Sequence, residues 1–287
     1  MRRGYHKKRG FYRGERRARR IAAKGDLAAS GLAVVALSLL AGFISLPLLS
    51  LLLWTFTGSA WEAMLSDVAL QALWLSAKTT AAATLITVLV GTPAAYLLAR
   101  TDFRGKRALD TLIDIPAVLP PSAAGLALLL AFGRLGLLGE SLQAFGVTLS
   151  FTTAAVVIAQ LFVASHFYVR QATNGFAAVA REVEEAALVD GAGRLGAVWR
   201  VSVPLAFPAL MAGAVTAWAR ALGEFGATII FAGNIQGVTQ TMPLAIYAAF
   251  EQDLDAAVAL SVMVLGFAFA VILTARWLTR ATTVREE

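Results

Sequence analysis

The chain of 287 residues lacks several features that common enzymes display. It contains no cysteine, which excludes disulfide bonds and thiolate metal sites but says little about the compartment. No G-x-x-x-x-G-K-[ST] stretch is present to cradle nucleotide phosphates, and no nucleophile, base and orienting residue stand together. We therefore predict no enzyme active site, no metal site and no cofactor in this chain. Any ATP that drives its function would be hydrolysed by another polypeptide.

Charged residues are also scarce. They make up 15% of the sequence, whereas apolar residues make up 58%. That composition is too apolar for a soluble domain of this length. The charges separate long uncharged runs that hold about 20 residues, roughly the hydrocarbon thickness of a bilayer. Backbone amides in lipid must be paired within their own segment, so we expect helices. The runs are 27–61, 79–99, 115–133, 141–169, 201–219, 225–250 and 256–275.

The run 225–250 differs from the others, since Asn234, Gln236 and Thr239 lie among glycines before Pro243. We interpret its start as the end of a preceding helix, followed by a polar loop and a short helix up to Phe250. The prediction is therefore an all-α polytopic membrane protein with about six transmembrane helices. These lie near residues 28–54, 71–98, 113–132, 152–172, 205–230 and 256–278.

Lysine and arginine distribution predicts that both termini are cytoplasmic in the cell membrane. Segments 1–26, 99–110, 170–203 and 276–287 hold 11, 4, 4 and 3 basic residues, whereas the opposite loops 55–70, 133–150 and 231–255 hold only Arg134. We divide the chain into a basic cytoplasmic tail (1–26), a transmembrane domain (27–280) with a cytoplasmic loop at 180–204, and a C-terminal tail (281–287).

The basic tail has two interpretations. Clustered arginines with Tyr5 and Phe11 could bind nucleic acid, but directly before a span such a segment is typical of a topogenic, lipid-contacting tail. We therefore expect a lipid contact and no nucleic-acid partner. The apolar run after Asp26 is also much longer than the core of a signal peptide, so we expect no cleavable export signal.

Ionisable residues inside predicted spans cost free energy of insertion and normally face protein or an aqueous cavity. Arg220 and Glu224 are four apart, so they would share one helix face, about two-thirds of the way through the fifth span. They fit a transport path or gate, or an internal pair that keeps helices in register. Lys78 could contact an anion or reach the outer interface. For His166 we expect an interhelical hydrogen bond rather than a metal or catalytic role.

Prolines and an outer polar residue complete the candidates. Pro116, Pro120 and Pro121 interrupt the third span near its cytoplasmic end, which requires that the freed carbonyls find partners inside the bundle; a static kink is expected rather than a hinge. Pro204 lies at the entry to the fifth span, where a missing amide does least harm. Asn234 could line an outer gate or be an ordinary solvated loop residue.

The cytoplasmic loop 180–204 predicts a helix, a turn and a second helix. Arg181 and Glu185 are four apart and could pair weakly on one face. Gly191 and Gly193 would stop the first helix, because glycine adopts the left-handed conformation at little cost. Taken alone, the segment could be an ordinary amphipathic loop, or a knob of small alanines with acidic edges that enters a groove on another protein.

The spacing within this loop carries a resemblance. Glu185-Ala186-Ala187, three residues, Gly191, nine residues and Val201-Ser202-Val203-Pro204 closely resemble the EAA loop (E-A-A, three residues, G, nine residues, I-x-L-P) of permease subunits of bacterial and archaeal ABC importers, with Val201 and Val203 as mild departures. The resemblance implies a type I importer permease fold and a coupling helix that docks into a cleft of an ATPase subunit. The implied contact residues are Glu185, Ala186, Ala187, Asp190, Gly191, Ala192 and Gly193.

Three further stretches narrow the resemblance. Residues 120–127 (PPSAAGLA), 219–228 (ARALGEFGAT) and 241–247 (TMPLAIY) are similar to signatures of molybdate and tungstate permeases. The implied partners are two cytoplasmic ATPase subunits holding ATP and magnesium, a second copy of this chain, and an extracytoplasmic oxyanion-binding protein, in an alternating-access cycle. A sulfate or thiosulfate permease is the nearest alternative. An ATP-independent secondary transporter or channel, or a membrane scaffold, is an alternative of another class.

Overall fold

The computed structural model describes residues 31–56 and 60–283, with side chains for 31–56 and 61–277. The predicted basic tail at 1–26 lies outside this part of the chain. The described residues divide into two units, 31–56 and 60–283, and each is described by itself. In the described residues every regular element is a helix, as predicted.

The first unit contributes one element, α1 (Gly31–Thr55). Its 25 residues extend about 37 Å at 1.5 Å per residue, enough to cross the hydrocarbon layer of a bilayer. The helices of the second unit are α2 (Ala60–Met64), α3 (Asp67–Arg100), α4 (Lys106–Val118), α5 (Pro121–Phe132), α6 (Gly139–Ala144), α7 (Thr153–Ala178), α8 (Arg181–Val189), α9 (Arg194–Ala197), α10 (Val203–Leu222), α11 (Gly226–Phe231), α12 (Met242–Phe250) and α13 (Leu254–Thr283), with a π-helical turn at Val198–Ser202.

Five helical segments of the described chain are long and apolar enough to cross a membrane: α1, α3, α7, Arg194–Leu222 and α13 up to Trp277. Polar residues begin two of them. The Ser66 hydroxyl accepts the amide of Ala69 at the start of α3, and Thr152 does the same for Ala155 at the start of α7, as N-caps do. The spans predicted near 28–54, 71–98, 152–172 and 256–278 are therefore confirmed as helices.

The predicted third span is not one continuous helix. It consists of α4 and α5, whose axes are bent by 117° at the break. Leu119 is extended, because the ring of Pro120 disfavours a helical conformation at the preceding residue. Pro121 then opens α5, where its missing amide is tolerated. Pro116 lies inside α4 without ending it.

The predicted fifth span, 205–230, differs at both ends. Its helical run starts at Arg194, so Pro204, although it lies in the first turn of α10, is inside a continuous run and not at its entry. The π-helical turn immediately before α10 accommodates the missing amide, as wide turns commonly do at such irregularities. At the other end α10 stops at Leu222, and α11 begins at Gly226 after a three-residue break.

Small residues bring α3, α7 and α10 close together. A Cβ added to Gly91 on α3 would lie 2.8 Å from the Tyr168 ring on α7, and one added to Gly175 on α7 would lie 2.5 Å from Ala209 Cβ on α10. Tyr168 also shares a 2.6 Å hydrogen bond with Thr92 on α3. Close approach through small residues is how helices associate in lipid, and these three helices form the centre of the bundle.

The short outer helix α12 confirms the predicted loop and helix of the run 225–250. The Met242 amide, at its start, donates to the Ser76 hydroxyl on α3 at 2.8 Å. Met242 and Ala245 also pack with Ala69 and Leu260. The helix is therefore docked between α3 and α13.

Candidate functional site

The loop 180–204 folds as the predicted helix, turn and helix. α8 ends at Val189, and the amide of Ala192 donates to the carbonyl of Ala187 at 3.0 Å across the turn. Gly191 has a φ of 90°, in the left-handed region, and an added Cβ would meet nothing within 4 Å. Backbone conformation and not space therefore favours glycine there. Gly193 has a φ of −65°, so the left-handed interpretation is wrong for that residue.

The predicted contact residues form an accessible surface at one end of the bundle. Glu185, Ala186, Asp190, Gly191 and Gly193 are exposed, and Ala187 and Ala192 are half-buried. The weak pair predicted between Arg181 and Glu185 is not formed in this described segment. Three exposed apolar side chains, Val189, Leu195 and Trp199, surround the turn. An exposed apolar patch beside acidic groups is typical of a protein interface.

A residue that sequence reasoning missed fixes α8 to the bundle. Glu184 Oε1 accepts from Arg100 Nη2 at 2.6 Å and Nε at 3.0 Å, and from the Ser202 hydroxyl at 2.7 Å. Arg100 Nη2 also donates to the carbonyl of Val179 at 2.9 Å. The side chains of Arg100 and Glu184 are only 9% and 13% exposed. The signal available in the sequence was Arg100 itself, a basic residue at the cytoplasmic end of α3.

Two of the signature stretches meet where the helices are broken. A Cβ added to Gly226, the first residue of α11, would lie 2.6 Å from Pro121 Cβ, at the start of α5. One added to Gly125 on α5 would lie 2.8 Å from the carbonyl oxygen of Ala227. The break between α4 and α5 therefore lies against the break between α10 and α11. Discontinuous helices at such depth are tolerated only inside protein or beside a cavity.

Arg220 and Glu224 form an ion pair, but not on one continuous helix face as predicted. Arg220 lies in the last turn of α10, and Glu224 in the break that follows. Their closest atoms, Arg220 Nη1 and Glu224 Oε2, are 2.8 Å apart, and the side chains are 29% and 1% exposed. Glu224 Oε1 also accepts the Ala227 amide at 2.7 Å. The carboxylate therefore caps α11 and neutralises the arginine.

A second ion-pair cluster joins α7 to α4. Arg170 Nε and Nη2 donate to the two carboxylate oxygens of Asp114 at 2.6 and 2.7 Å, and Nη1 donates to Asp110 at 3.0 Å. The interhelical hydrogen bond expected of His166 is absent from the described structure, since neither ring nitrogen has a partner. Its Nδ1 is 4.0 Å from Asp114. The aspartates are already oriented toward Arg170, which explains why the imidazole lacks a partner.

The two remaining candidates lie apart from these clusters. Lys78 is exposed on α3, 22 residues before Arg100, or about 33 Å along a helix. This is about one hydrocarbon thickness from the cytoplasmic end. Asn234 is exposed in the loop after α11, and its Nδ2 donates to the carbonyl of Leu244 on α12 at 3.5 Å. The structure does not bring either residue to Arg220 by a hydrogen bond or ion pair of the described residues.

Sequence comparison assigns the chain to a family. Residues 87–284 match the family described as "Binding-protein-dependent transport system inner membrane component". The chain belongs to this family of ABC importer permeases. The permease is 45% identical over 232 residues to the molybdenum transport system permease protein ModB of Mycobacterium bovis, covering 80% of this chain and 88% of the relative. It is 35% identical over 192 residues to a probable sulfate transport system permease protein, cysT, of Chlorokybus atmophyticus, covering 67% of each.

The fold agrees with this assignment. The permease superposes with a TM-score of 0.74 on a bacterial alginate ABC transporter solved in complex with an alginate pentasaccharide-bound periplasmic protein. That match covers 91% of this chain and 96% of the other at 16% identity, so it shows the fold alone. The predicted polytopic importer permease fold is confirmed, and the protein is a multi-pass membrane permease of the molybdate type. Its relatives are transport subunits, not enzymes.

Proposed function

We propose that this permease forms the path of an ATP-driven importer for molybdate or tungstate. Coupling to an ATPase is supported by the accessible surface of α8 and its turn. Glu185 and Ala186 are exposed there, as are Val189 and Leu195. A separate ATPase that grips this surface would supply the energy that the permease, with no phosphate-binding loop, cannot supply itself. ATP and magnesium would be held by that partner.

The proposed cycle is alternating access in a dimer of this chain with two ATPase subunits. ATP can shift the conformational equilibrium only by binding one state better than the other. Closure of the ATPase subunits would therefore favour the state that opens toward the outside. A binding protein outside the membrane would deliver the oxyanion, and specificity would lie mainly in that protein. The molybdate assignment rests on the greater identity to the molybdenum relative than to the sulfate relative, 45% against 35%.

We place the transport path beside the two facing helix breaks. Arg220 is partly exposed there and could contact a passing dianion. Its pairing with the buried Glu224 reduces the net positive charge, so an oxyanion would pass without being trapped. Lys78, about one bilayer thickness from the cytoplasmic end, and Asn234, in the outer loop, would lie nearer the outer entrance.

The decisive experiment reconstitutes the permease with its ATPase in lipid vesicles and adds binding proteins loaded with molybdate, tungstate or sulfate. We expect the molybdate- or tungstate-loaded protein to stimulate ATP hydrolysis and oxyanion uptake together. Greater stimulation by the sulfate-loaded protein would favour the alternative substrate. Uptake at the full rate by the permease alone, without an ATPase, would contradict the proposal and favour a secondary transporter or channel.

A further inference from the structure

α8 is attached to the bundle through one polar side chain, Glu184, on its inner face. All nine residues of α8 are described, and none of them is buried. Its attachment therefore does not rest on an apolar core. Glu184 instead supplies a charged contact to Arg100 on α3 and a hydrogen bond to Ser202 in the π-helical turn before α10. Charge-assisted hydrogen bonds of this length are stronger and more directional than neutral ones.

Two adjacent carboxylates of α8 have different surroundings. Glu185 is exposed on the surface that the proposed function assigns to the ATPase, whereas the side chain of Glu184 is 13% exposed and faces the bundle. Successive residues are turned by about 100° around a helix axis, which explains why neighbours of the same type face different ways. Force applied to the outer surface must cross α8 to reach the spans.

Three spans meet at the Glu184 contact. Arg100 is the last residue of α3, and it also bonds the carbonyl of Val179, which follows α7. Ser202 directly precedes α10, the helix that carries Arg220. A displacement of α8 passed through Glu184 would therefore reach α3, α7 and α10, the helices at the centre of the bundle.

We propose that Glu184 is the positioning residue that transmits movement of α8 to these three spans. The inference rests on the proposed function and deepens it, because it separates gripping the ATPase, at Glu185, from moving the transport path, at Glu184. Without this contact α8 would still present its outer surface to a partner. Movement of α8 would then no longer displace the three spans.

The test compares Glu184→Gln with Glu182→Gln, which changes an exposed acid on the same helix. Each variant is reconstituted with the ATPase in vesicles, and oxyanion uptake is divided by ATP hydrolysed with the loaded binding protein present. For Glu184→Gln we expect normal assembly and continued hydrolysis, with uptake per ATP reduced at least about fivefold, the lower range of measured coupling between sites. Glu182→Gln should match the wild type.

A covalent rescue separates transmission from a merely structural role. Because this chain has no cysteine, Arg100→Cys with Glu184→Cys gives the permease two thiols and no others, which a short cleavable bifunctional thiol reagent can join. We expect joining to restore uptake per ATP and reduction to remove it again. The rescue also covers the case in which Glu184→Gln assembles poorly, since the same protein is measured joined and reduced.

The outcomes distinguish the two proposals. A wild-type complex whose ATP hydrolysis does not respond to any loaded binding protein contradicts the proposed function. A wild-type complex that transports, together with a Glu184→Gln variant that keeps wild-type uptake per ATP, overturns the inference about Glu184 alone. A joined double-cysteine protein that stays uncoupled overturns it as well.

Discussion

The first residue of α11, Gly226, lies directly against Pro121 at the start of α5: a Cβ built on the glycine would be 2.6 Å from Pro121 Cβ and 3.3 Å from the Pro121 carbonyl carbon. The two helix breaks thus support each other, one through a rigid ring and the other through the absence of a side chain. The two breaks are therefore packed against each other at the position where we propose the transport path.

Gly226→Ala should disturb this contact. The added methyl group would overlap Pro121, and overpacking of this kind typically destabilises by about 1–3 kcal/mol. We expect a lower unfolding temperature of the purified permease and reduced uptake. Gly266→Ala is the matched control, because a Cβ there would meet nothing within 4 Å and alanine favours a helix. Equal stability of the two variants would show that α5 and α11 adjust freely.

The helices followed from the sequence because lipid allows few alternatives. An uncharged run of sufficient length must pair its amides internally, so the boundaries of α3, α7 and α13 were set by charges and caps. The breaks were harder to locate. Pro120 and Pro121 indicated one break, but its 117° bend lies against Gly226, which is distant in the sequence. The break after α10 has no proline to indicate it in the sequence. It is formed instead where the Glu224 carboxylate accepts the Ala227 amide at the start of α11.

Some residues of the candidate site could be predicted from the sequence and others could not, because some contacts are local and others join distant segments. The helix, turn and helix of the loop 180–204 could be predicted from its own residues, because a turn depends on local sequence, as the left-handed Gly191 shows. Which of Glu184 and Glu185 faces inward depends on Arg100, 84 positions earlier. The importance of Arg170 likewise depends on α4 folding back beside α7. Contacts between distant segments are not encoded in any local pattern.

Replacing Arg170 should loosen α4. No residue of α4, all of which is described, is fully buried, and its Ile113 is only partly buried against the core. The contacts of Arg170 with Asp110 and Asp114 therefore contribute much of the attachment of α4 to α7. In Arg170→Lys one ammonium replaces the guanidinium fork and cannot bond both carboxylates in the same way. We expect faster amide hydrogen exchange across 106–118, measured by mass spectrometry. Arg107→Lys, an exposed change on α4, is the control; equal exchange in both variants would contradict this role.

Reversing the charge of Glu185 should detach the ATPase. Glu185→Arg places a cation in the exposed acidic edge of α8 without touching the Glu184 contact, so the permease should insert and fold normally. We expect loss of the ATPase on co-purification, with the same unfolding temperature for the permease itself. The control is Glu182→Arg, which makes the same charge change at another exposed position of α8. Retention of the ATPase and wild-type transport by Glu185→Arg would count against the coupling surface.

Arg220 can be tested for transport separately from its structural role. Arg220→Ala leaves Glu224, 1% exposed, without its cation, and an unpaired buried charge is strongly destabilising, by about 3–5 kcal/mol. Uptake should fall, but lost stability alone would explain that. In Arg220→Ala with Glu224→Gln the charge is gone, and the glutamine oxygen can still accept the Ala227 amide.

We therefore expect the double variant to regain the unfolding temperature of the wild type while its oxyanion uptake stays low, because the Arg220 guanidinium is no longer beside the helix breaks to contact the dianion. The Glu224→Gln single variant completes the comparison: it keeps Arg220 but removes the charge that neutralises it, so the oxyanion should be held longer and released more slowly. If the double variant recovered both stability and uptake, the pair would serve only to join α10 to α11, and the path would have to run elsewhere.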